Sequence, residues 1–240
     1  MNTEIPDDSI TANPNVELLP IGQRGVAVIR GDKFVTEWVR ETQKLCHDDW
    51  LAEQMRRYLK PGDVALDIGA NIGQSTYPML AAGAFVYAFE IDPDCCACIL
   101  HNCAGGTMEL RGGVAVGDDP NAFVGYTRDA NNAGASHVQA GTQYPVLTID
   151  ELDFQKIAFI KIDVEGSEVA VLRGAAKTIS RTKPTMFIEV NRGALERLGE
   201  SEDSLWAQLE SMGYDVAVAQ DNCERGGSQY DVIARPKLSI

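Results

Sequence analysis

The sequence predicts a single α/β domain built around a mostly parallel sheet, and two observations carry this prediction. Apolar strand-like segments at 64–68, 85–90 and 112–117 alternate with amphipathic helical segments at 73–82 and 93–103. The alternation resumes with strands at 157–164 and 185–190, each followed by a helix, before two final strands around Val216 and Val232. Strand–helix alternation requires right-handed crossovers, so we expect helices on both faces of the sheet.

The composition is that of a globular chain with an acidic surface. The 240 residues are 45% hydrophobic, and 35 acidic residues against 21 basic ones give a net charge of -14. A chain with this charge repels polyanions, so a nucleic-acid partner is disfavoured. No run approaches the roughly 18 apolar residues of a membrane span, and the amino terminus lacks the features of a signal peptide. We expect a cytoplasmic protein with no membrane partner, and an oligomer remains open.

Residues 1–45 are interpreted as an extension with short strands, and residues 46–240 as the main domain. The first 20 residues are polar and lack a sustained period, which is typical of a loosely attached lead. The segment GVAVIRGDKFVTEWV is then expected to form short strands around a Gly-Asp turn. Asp48 or Asp49 is expected to cap the helix that follows.

Six cysteines without an export signal indicate reduced thiols rather than a disulfide framework. Four of them cluster at Cys95, Cys96, Cys98 and Cys103. A structural zinc site would need further ligands at suitable spacing, and only His101 is near. We therefore interpret the cluster as small thiols on a helix.

The segment VALDIGANIG at 64–73 indicates a ligand held against bare backbone. Gly69 and Gly73 bracket Asn71 directly after a buried strand, and glycine permits a tight turn and a close approach. In a parallel sheet, ligands bind beyond the carboxyl ends of the strands. The spacing G-x-x-x-G departs from the dinucleotide fingerprint, and Asp67 precedes the first glycine by two positions. A carboxylate at this place disfavours a pyrophosphate and suits a ligand with an ammonium group.

Acidic residues at the next two predicted strand ends extend this site. Glu90 is placed to accept hydrogen bonds from two ribose hydroxyls, and Asp118 could accept one from an adenine amino group. An amino-acid head, a ribose and an adenine together describe S-adenosylmethionine. The predicted cofactor-binding residues are Asp67, Gly69, Asn71, Gly73, Ser75, Glu90, Asp92 and Asp118. Each also has an interpretation as a turn or cap residue, and Asp118 could merely begin the Asp-Asp-Pro turn.

Five segments between Val64 and Asn191 resemble the successive motifs of a known family. VALDIGANIGQST, VYAFEIDPD, LTIDEL, IAFIKIDVEGSEVAVLRGA and PTMFIEVN are similar to those of the FkbM family of S-adenosylmethionine-dependent O-methyltransferases. The resemblance implies a class I methyltransferase (Rossmann-like) fold, with a seven-stranded, mostly parallel sheet and an antiparallel last strand. It also implies methyl transfer to a hydroxyl, often on a sugar or a secondary metabolite. The chain reads Glu-Ile-Asp-Pro from Glu90 where the family commonly has Glu-Pro, which leaves the ribose carboxylate in place.

The acceptor side of the site is predicted from the segment AFIKIDVEG. Period-2 alternation puts Lys161 and Asp163 on one face of the strand, with Asp163 at its carboxyl end. Methyl transfer to a hydroxyl needs alignment of the reactants and a group that removes the hydroxyl proton. Asp163 is the first candidate for this base, Glu189 the second and His137 the third. Lys161 is expected to pair with a carboxylate.

Several alternatives remain open at this point. Asp163, Glu165 and Glu189 could together hold a divalent cation, but the sequence fixes no histidine or asparagine beside them, and no metal is predicted. A nicotinamide-dependent oxidoreductase is opposed by Asp67 and by the missing third glycine. A non-catalytic nucleoside-binding protein is a further alternative. The expected acceptor is a hydroxyl of a small molecule or a sugar, and the sequence does not distinguish between them.

Overall fold

A computed structural model of the protein describes residues 8–46, 49–219 and 228–237. The strands are β1 (Val16–Leu19), β2 (Val26–Ile29), β3 (Val64–Ile68), β4 (Phe85–Glu90), β5 (Met108–Gly112), β6 (Ala115–Val116), β7 (Phe123–Thr127), β8 (His137–Ala140), β9 (Tyr144–Leu147), β10 (Phe159–Ile162), β11 (Thr185–Asn191), β12 (Tyr214–Val218) and β13 (Gln229–Pro236). The helices are α1 (Asp8–Thr11), α2 (Val35–Thr42), α3 (Asp49–Tyr58), α4 (Thr76–Ala81), α5 (Pro93–Asn102), α6 (Glu168–Gly174), α7 (Ala176–Thr182), α8 (Arg192–Arg197) and α9 (Glu202–Ser211), with 3-10 helices at Ala133–Ala135 and Ile149–Leu152.

Seven of these strands form the central sheet, in the spatial order β12-β13-β11-β10-β3-β4-β5. The pairs from β5 to β11 are parallel, whereas β13 is antiparallel to both β11 and β12. The sheet is therefore mixed, with six strands in one direction and one opposed. The chain order reverses between β3 and β10, so the carboxyl ends of these two strands flank the position where a ligand crevice is expected.

Alternating side chains place two different cores on the faces of the sheet. Leu66, Ile160 and Met186 pack with α6, α7 and α9 on one face. Ala65 and Phe159, one position earlier in their strands, pack with α3 and α4 on the other. Helices therefore cover both faces, as the alternation of strands and helices predicts. Within the described residues, the structure contains no helix long and apolar enough to cross a membrane.

The third strand of the predicted sheet lies at a different place in the chain. β5 covers Met108–Gly112 and pairs with β4, whereas the predicted strand at 112–117 contributes only the two-residue β6. β6 leaves the central sheet and pairs with β9. The prediction was wrong because MELRG, which forms β5, carries charged side chains on a half-exposed edge strand and lacks an apolar run.

The polar stretch 121–144, whose glycine- and asparagine-rich composition is typical of a solvated loop, contains strands. β7, β8 and β9 pair in antiparallel fashion, and β6 extends them to a sheet in the order β6-β9-β7-β8. The sequence pattern does not indicate these strands, because the stretch is rich in glycine and asparagine, which both have low strand propensity. This small sheet carries Tyr126 and His137 to the carboxyl edge of the central sheet.

The described part of the amino-terminal segment packs against the domain, so the predicted loose lead is wrong for residues 8–20. β1 and β2 form a hairpin whose apolar side chains share a cluster with α5. Ala27 and Asn102 exchange two hydrogen bonds of 2.8 Å between the hairpin and α5. After β2 the chain forms α2 rather than a second short strand, because the Asp32 carboxylate accepts from the Thr36 amide. The predicted cap Asp48 lies outside the described residues, and the domain boundary at 45/46 stays a prediction.

Candidate active site

A cavity of about 250 Å³ lies at the carboxyl ends of β4, β3, β10 and β11. Six of the predicted site residues line it: Gly69, Asn71, Glu90, His137, Asp163 and Glu189. A smaller cavity of about 70 Å³ lies beside it and shares the side chains of Asn71, Gln74, Asp163 and Glu189. Five predicted residues do not line the main cavity: Asp67, Gly73, Ser75, Asp92 and Asp118.

The turn after β3 brings backbone groups to the cavity floor. Gly69 adopts φ +83°, and a Cβ atom there would lie 1.7 Å from the carbonyl oxygen of Asp163. Only glycine permits this approach between the ends of β3 and β10. Asn71 also has a positive φ, and its amide donates to Glu90 Oε2 at 2.8 Å. The turn therefore joins the tips of three neighbouring strands.

Glu90 ends β4 with its carboxylate only 8% exposed. Oε1 accepts from the Asp92 amide and Oε2 from the Asn71 amide, both at 2.8 Å. Burial raises the pKa of Glu90 to about 7, although the two amides oppose this shift. Each carboxylate oxygen retains acceptor capacity, so this group is able to accept hydrogen bonds from two adjacent hydroxyls of a ligand.

Asp67 lies beneath the turn and not at the cavity surface, which corrects its predicted contact with a ligand ammonium. Its side chain is fully buried and accepts from the hydroxyls of Ser75, at 2.8 and 2.9 Å, and Thr76, at 2.5 Å. Burial raises the pKa of Asp67. Ser75 lines the smaller cavity. Gly73 also lies away from the main cavity, and a Cβ there would meet Cys103 Sγ at 2.9 Å. These residues shape the turn and the start of α4.

Asp92 has a structural position that the sequence did not reveal. Its carboxylate accepts from the amides of Asp94 and Cys95 at the start of α5, and it binds the Arg128 guanidinium and the Tyr126 hydroxyl. Asp92 is 1% exposed, and its bonds to Tyr126 and Arg128 connect β7 to the central sheet. Tyr126 lines the cavity, so Asp92 contributes to the cavity wall indirectly.

Asp118 lies outside the cavity, which removes the predicted contact with adenine. It follows β6 rather than the third strand of the central sheet, and its carboxylate pairs with Arg173 at 2.6 Å. The apolar residues before it, Val114 to Val116, line the cavity in its place. Asp118 lies outside the cavity because the third strand of the central sheet is β5 (Met108–Gly112) and not the predicted strand at 112–117.

At the other end of the cavity, Lys161 and Asp163 form an ion pair of 2.7 Å. Lys161 is 8% exposed and lies directly opposite Asp67 in the pairing of β10 with β3. Burial opposes the charge on Lys161, but Asp163 and Asp67 outweigh it and raise the pKa of the lysine. The expected pairing of Lys161 with a carboxylate is present, and Asp163 still lines both cavities.

Glu189 and Glu165 complete a cluster of carboxylates with Asp163. Burial, followed by the charges of Asp163 and Asp231, raises the pKa of Glu189 to about 9. Burial, followed by Asp163 and Glu168, raises the pKa of Glu165 to about 7. One carboxylate oxygen from each of Asp163, Glu165 and Glu189 lies within 4.8 Å of the others. Exposed or half-exposed acidic groups often lie this close without an ion, and we assign no metal here.

Residues from distant segments complete the cavity, and apart from His137, the third predicted base, no signal in the sequence identified them. His137 begins β8, with Nδ1 at 3.3 Å from the carbonyl of Ala135. Tyr126 and Ser136 come from the same small sheet and its connections, and Gln229 comes from β13. Val35 reaches the cavity from the amino-terminal segment. Tertiary folding alone brings these side chains together.

Comparison with known proteins gives a family match and a shared fold. The family model described as "Methyltransferase FkbM domain" matches residues 67–216. No curated protein matches the chain in sequence. The solved structure of a TehB-like SAM-dependent methyltransferase from Corynebacterium glutamicum is 13% identical, with a TM-score of 0.52 over 85% of this chain and 96% of that one. This likeness places the chain in the same fold as a methyltransferase that uses S-adenosylmethionine.

Two further solved structures are similar to the chain. A Streptococcus mutans protein, assigned as a methyltransferase and solved in complex with S-adenosylhomocysteine, is 12% identical with a TM-score of 0.50, over 77% of this chain and 94% of that one. A methyltransferase FkbM from Methylobacillus flagellatus is 18% identical with a TM-score of 0.49. The match covers 85% of this chain and 61% of the Methylobacillus protein.

Proposed function

Because the chain belongs to the FkbM methyltransferase family, we propose that it moves a methyl group from S-adenosylmethionine to a hydroxyl of a small molecule or sugar. One observation carries the proposal beyond the family: a single cavity has Glu90 at one end and Asp163 with Glu189 at the other. The first carboxylate suits a ribose, and Asp163 suits the deprotonation of an acceptor.

The cofactor half of the site is the wall formed by the turn after β3 and by β4. Glu90 would accept the ribose hydroxyls, while Gly69 and Asn71 provide open backbone beside them. Ile91 and the apolar segment Val114 to Val116 line the same cavity, and flat apolar walls suit an adenine ring. The Streptococcus mutans relative, solved with S-adenosylhomocysteine, supports a cofactor of this class in this fold.

The acceptor half would align a hydroxyl and receive its proton. When bound, S-adenosylmethionine would supply an electrophilic methyl group on a positively charged sulfur. The acceptor oxygen would bond to the methyl carbon in line as the carbon–sulfur bond breaks and S-adenosylhomocysteine leaves. Asp163 is the first candidate to take the hydroxyl proton, because it lines the cavity and its ion pair with Lys161 holds its carboxylate in place. Glu189 is the second candidate and His137 the third, since both line the cavity.

The proposed function is tested first by ligand binding. We expect calorimetric titration to show binding of S-adenosylhomocysteine and none of NAD. Glu90→Gln should weaken S-adenosylhomocysteine binding by about 1 to 3 kcal/mol, because it removes the charge from two hydrogen bonds to hydroxyls. Glu109→Gln is the matched control, since Glu109 lies on the neighbouring strand β5 and outside the cavity.

A second measurement tests the reaction. S-adenosylmethionine and a panel of sugar and small-molecule hydroxyls should release S-adenosylhomocysteine in the presence of the enzyme. NAD binding with no binding of S-adenosylhomocysteine would overturn the proposal in favour of an oxidoreductase. Tight binding with no turnover on hydroxyl acceptors would support a non-catalytic binding protein.

A further inference from the structure

The amino-terminal segment supplies part of the cavity wall. Val35, the first residue of α2, lines the cavity together with Asn132, Ala133 and Gly134. α2 follows β2, and residues 132–134 lie between β7 and β8. These three strands lie outside the central sheet. Val35 also precedes residues 67–216, which the family model matches. The wall is thus built partly by a region that the shared domain does not include.

A buried carboxylate and a neighbouring backbone hydrogen bond join these two pieces of wall. Asp32 is 3% exposed, and Oδ1 accepts from the amides of Phe34 at 3.1 Å and Thr36 at 2.8 Å, at the start of α2. Oδ2 accepts from the amide of Ala133 at 2.5 Å, across 101 residues of sequence. Beside it, the Lys33 amide donates to the carbonyl of Asn131 at 2.7 Å. The two oxygens of Asp32 therefore serve two different elements.

The wall formed by Val35 and residues 132–134 faces the turn after β3, in which the Asn71 amide donates to Glu90. A Cβ atom at Gly134 would lie 3.6 Å from Asn71 Nδ2 and 3.8 Å from Val35 Cγ2. Asn71 in turn donates its amide to Glu90. The wall thus lies against the Asn71–Glu90 end of the cavity.

We propose that Asp32 is a positioning residue of the cofactor site, which holds Val35 and residues 132–134 as a clamp over the bound nucleoside. The inference rests on the proposed function for the identity of the ligand as a nucleoside. A charge-assisted bond to a buried carboxylate is stronger than a neutral one, so it suits a contact that closes a site. A closed wall slows ligand departure more than it changes ligand arrival.

Asp32→Asn separates the clamp from the folding of α2. Asparagine keeps one side-chain oxygen, which is able to accept from the amides at the start of α2, as aspartate does. Its amide nitrogen is a donor and faces the Ala133 amide, which is also a donor, so the long-range bond is lost. Asp32→Ala removes both interactions and shows the cost of losing the α2 contacts. Asp119→Asn is the matched control, because Asp119 Oδ1 accepts from the Asn121 amide in an exposed turn.

The measurements are the dissociation rate and affinity of S-adenosylhomocysteine, with the melting temperature of each variant. We expect Asp32→Asn to release this ligand about tenfold faster and to bind it correspondingly more weakly. Its melting temperature should lie below that of Asp119→Asn, because the buried Ala133 amide loses its acceptor, and above that of Asp32→Ala. A merely structural role would lower the melting temperature and leave the dissociation rate unchanged.

The possible failures are distinguishable. Normal binding of S-adenosylhomocysteine by the wild type, with a wild-type dissociation rate in Asp32→Asn, overturns the clamp and leaves the proposed function intact. Absence of binding to the folded wild type overturns the proposed function, and the clamp with it, because the ligand class is then wrong.

Discussion

At the scale of single residues, Lys161 connects the two halves of the site. It lies opposite Asp67, which holds the hydroxyls of Ser75 and Thr76 at the start of α4, and it pairs with Asp163 at the cavity. The charge of Lys161 opposes the effect of burial on Asp67, but burial is larger and the pKa of Asp67 is raised. Asp163 consequently has a structural contact as well as a proposed role as base, and substitution should affect both.

Asp163→Asn tests which role dominates. If Asp163 is the general base, turnover per folded enzyme should fall by roughly 100-fold or more, while affinity for S-adenosylhomocysteine stays near that of the wild type. The melting temperature should also fall, since Lys161 loses its charged partner. Turnover, affinity and melting temperature are to be measured on one preparation, with Asp153→Asn, which affects an exposed pair with Arg181, as control. A destabilised enzyme with full turnover would move the role of base to Glu189 or His137.

At the scale of secondary-structure elements, the turn after β3 depends on how closely β3 approaches β10. Gly69 lies at the point where the backbone of one strand end meets the carbonyl of the other. Gly62, in the turn before β3, has a similar positive φ of +87°, but a Cβ atom there would meet no atom of the described residues within 4 Å. The two glycines share a left-handed backbone and differ in the space around them, so they form a matched pair.

We expect Gly62→Ala to cost about 1 kcal/mol of folding free energy, which is the penalty for a left-handed conformation alone. Gly69→Ala should cost more than about 3 kcal/mol, or prevent folding, because the added methyl would force β3 and β10 apart. Chemical unfolding of both variants checks the difference. Equal costs at the two positions would show that the approach of the strands is looser than the structure indicates.

At the scale of the whole molecule, several of the acidic residues that give the chain its formal net charge of -14 are buried. Burial is the largest cause in each case, and it raises the pKa of Glu90, Glu165 and Glu168 to about 7 and that of Glu189 to about 9. The ordinary pKa of a glutamate side chain is 4.5. Between pH 4.5 and the raised pKa values, the folded protein therefore binds more protons than the unfolded chain. The contribution of these four groups to folding stability is fully present below pH 4.5, and it is lost as the pH rises through 7 and 9.

The ligand-free protein should therefore be more stable near pH 6 than near pH 8.5, and thermal unfolding across this range checks the prediction. Glu189→Gln should flatten the dependence, because it removes the carboxyl group with the highest of the four pKa values. Glu109→Gln, on the exposed edge strand, should leave the slope unchanged. A stability that rises between pH 6 and pH 8.5 would contradict the raised pKa values of this cluster.

The sequence by itself determined most of the central sheet, apart from β5, and most of its ligand-facing edge. β3 and β4 occupy the predicted residues, and the predicted strands that become β10 and β11 hold Asp163 and Glu189 at the same edge. Local pattern suffices here, since a buried parallel strand is a short apolar run and its carboxyl end is the place for polar side chains. The family was also recognisable from contiguous motifs, and the match at residues 67–216 confirms it.

Tertiary structure alone decided which of the acidic residues reach the cavity. Asp67 lies near the end of β3 and Glu90 ends β4, yet Asp67 is covered by Ser75 and Thr76 while Glu90 lines the cavity. Asp118 was lost from the site because an edge strand of charged residues, β5, has no sequence period. The Asp32 bond to Ala133 spans 101 residues, and no local pattern encodes such a contact. Burial and long-range hydrogen bonds depend on the packing of distant segments, so they appear only once the chain has folded.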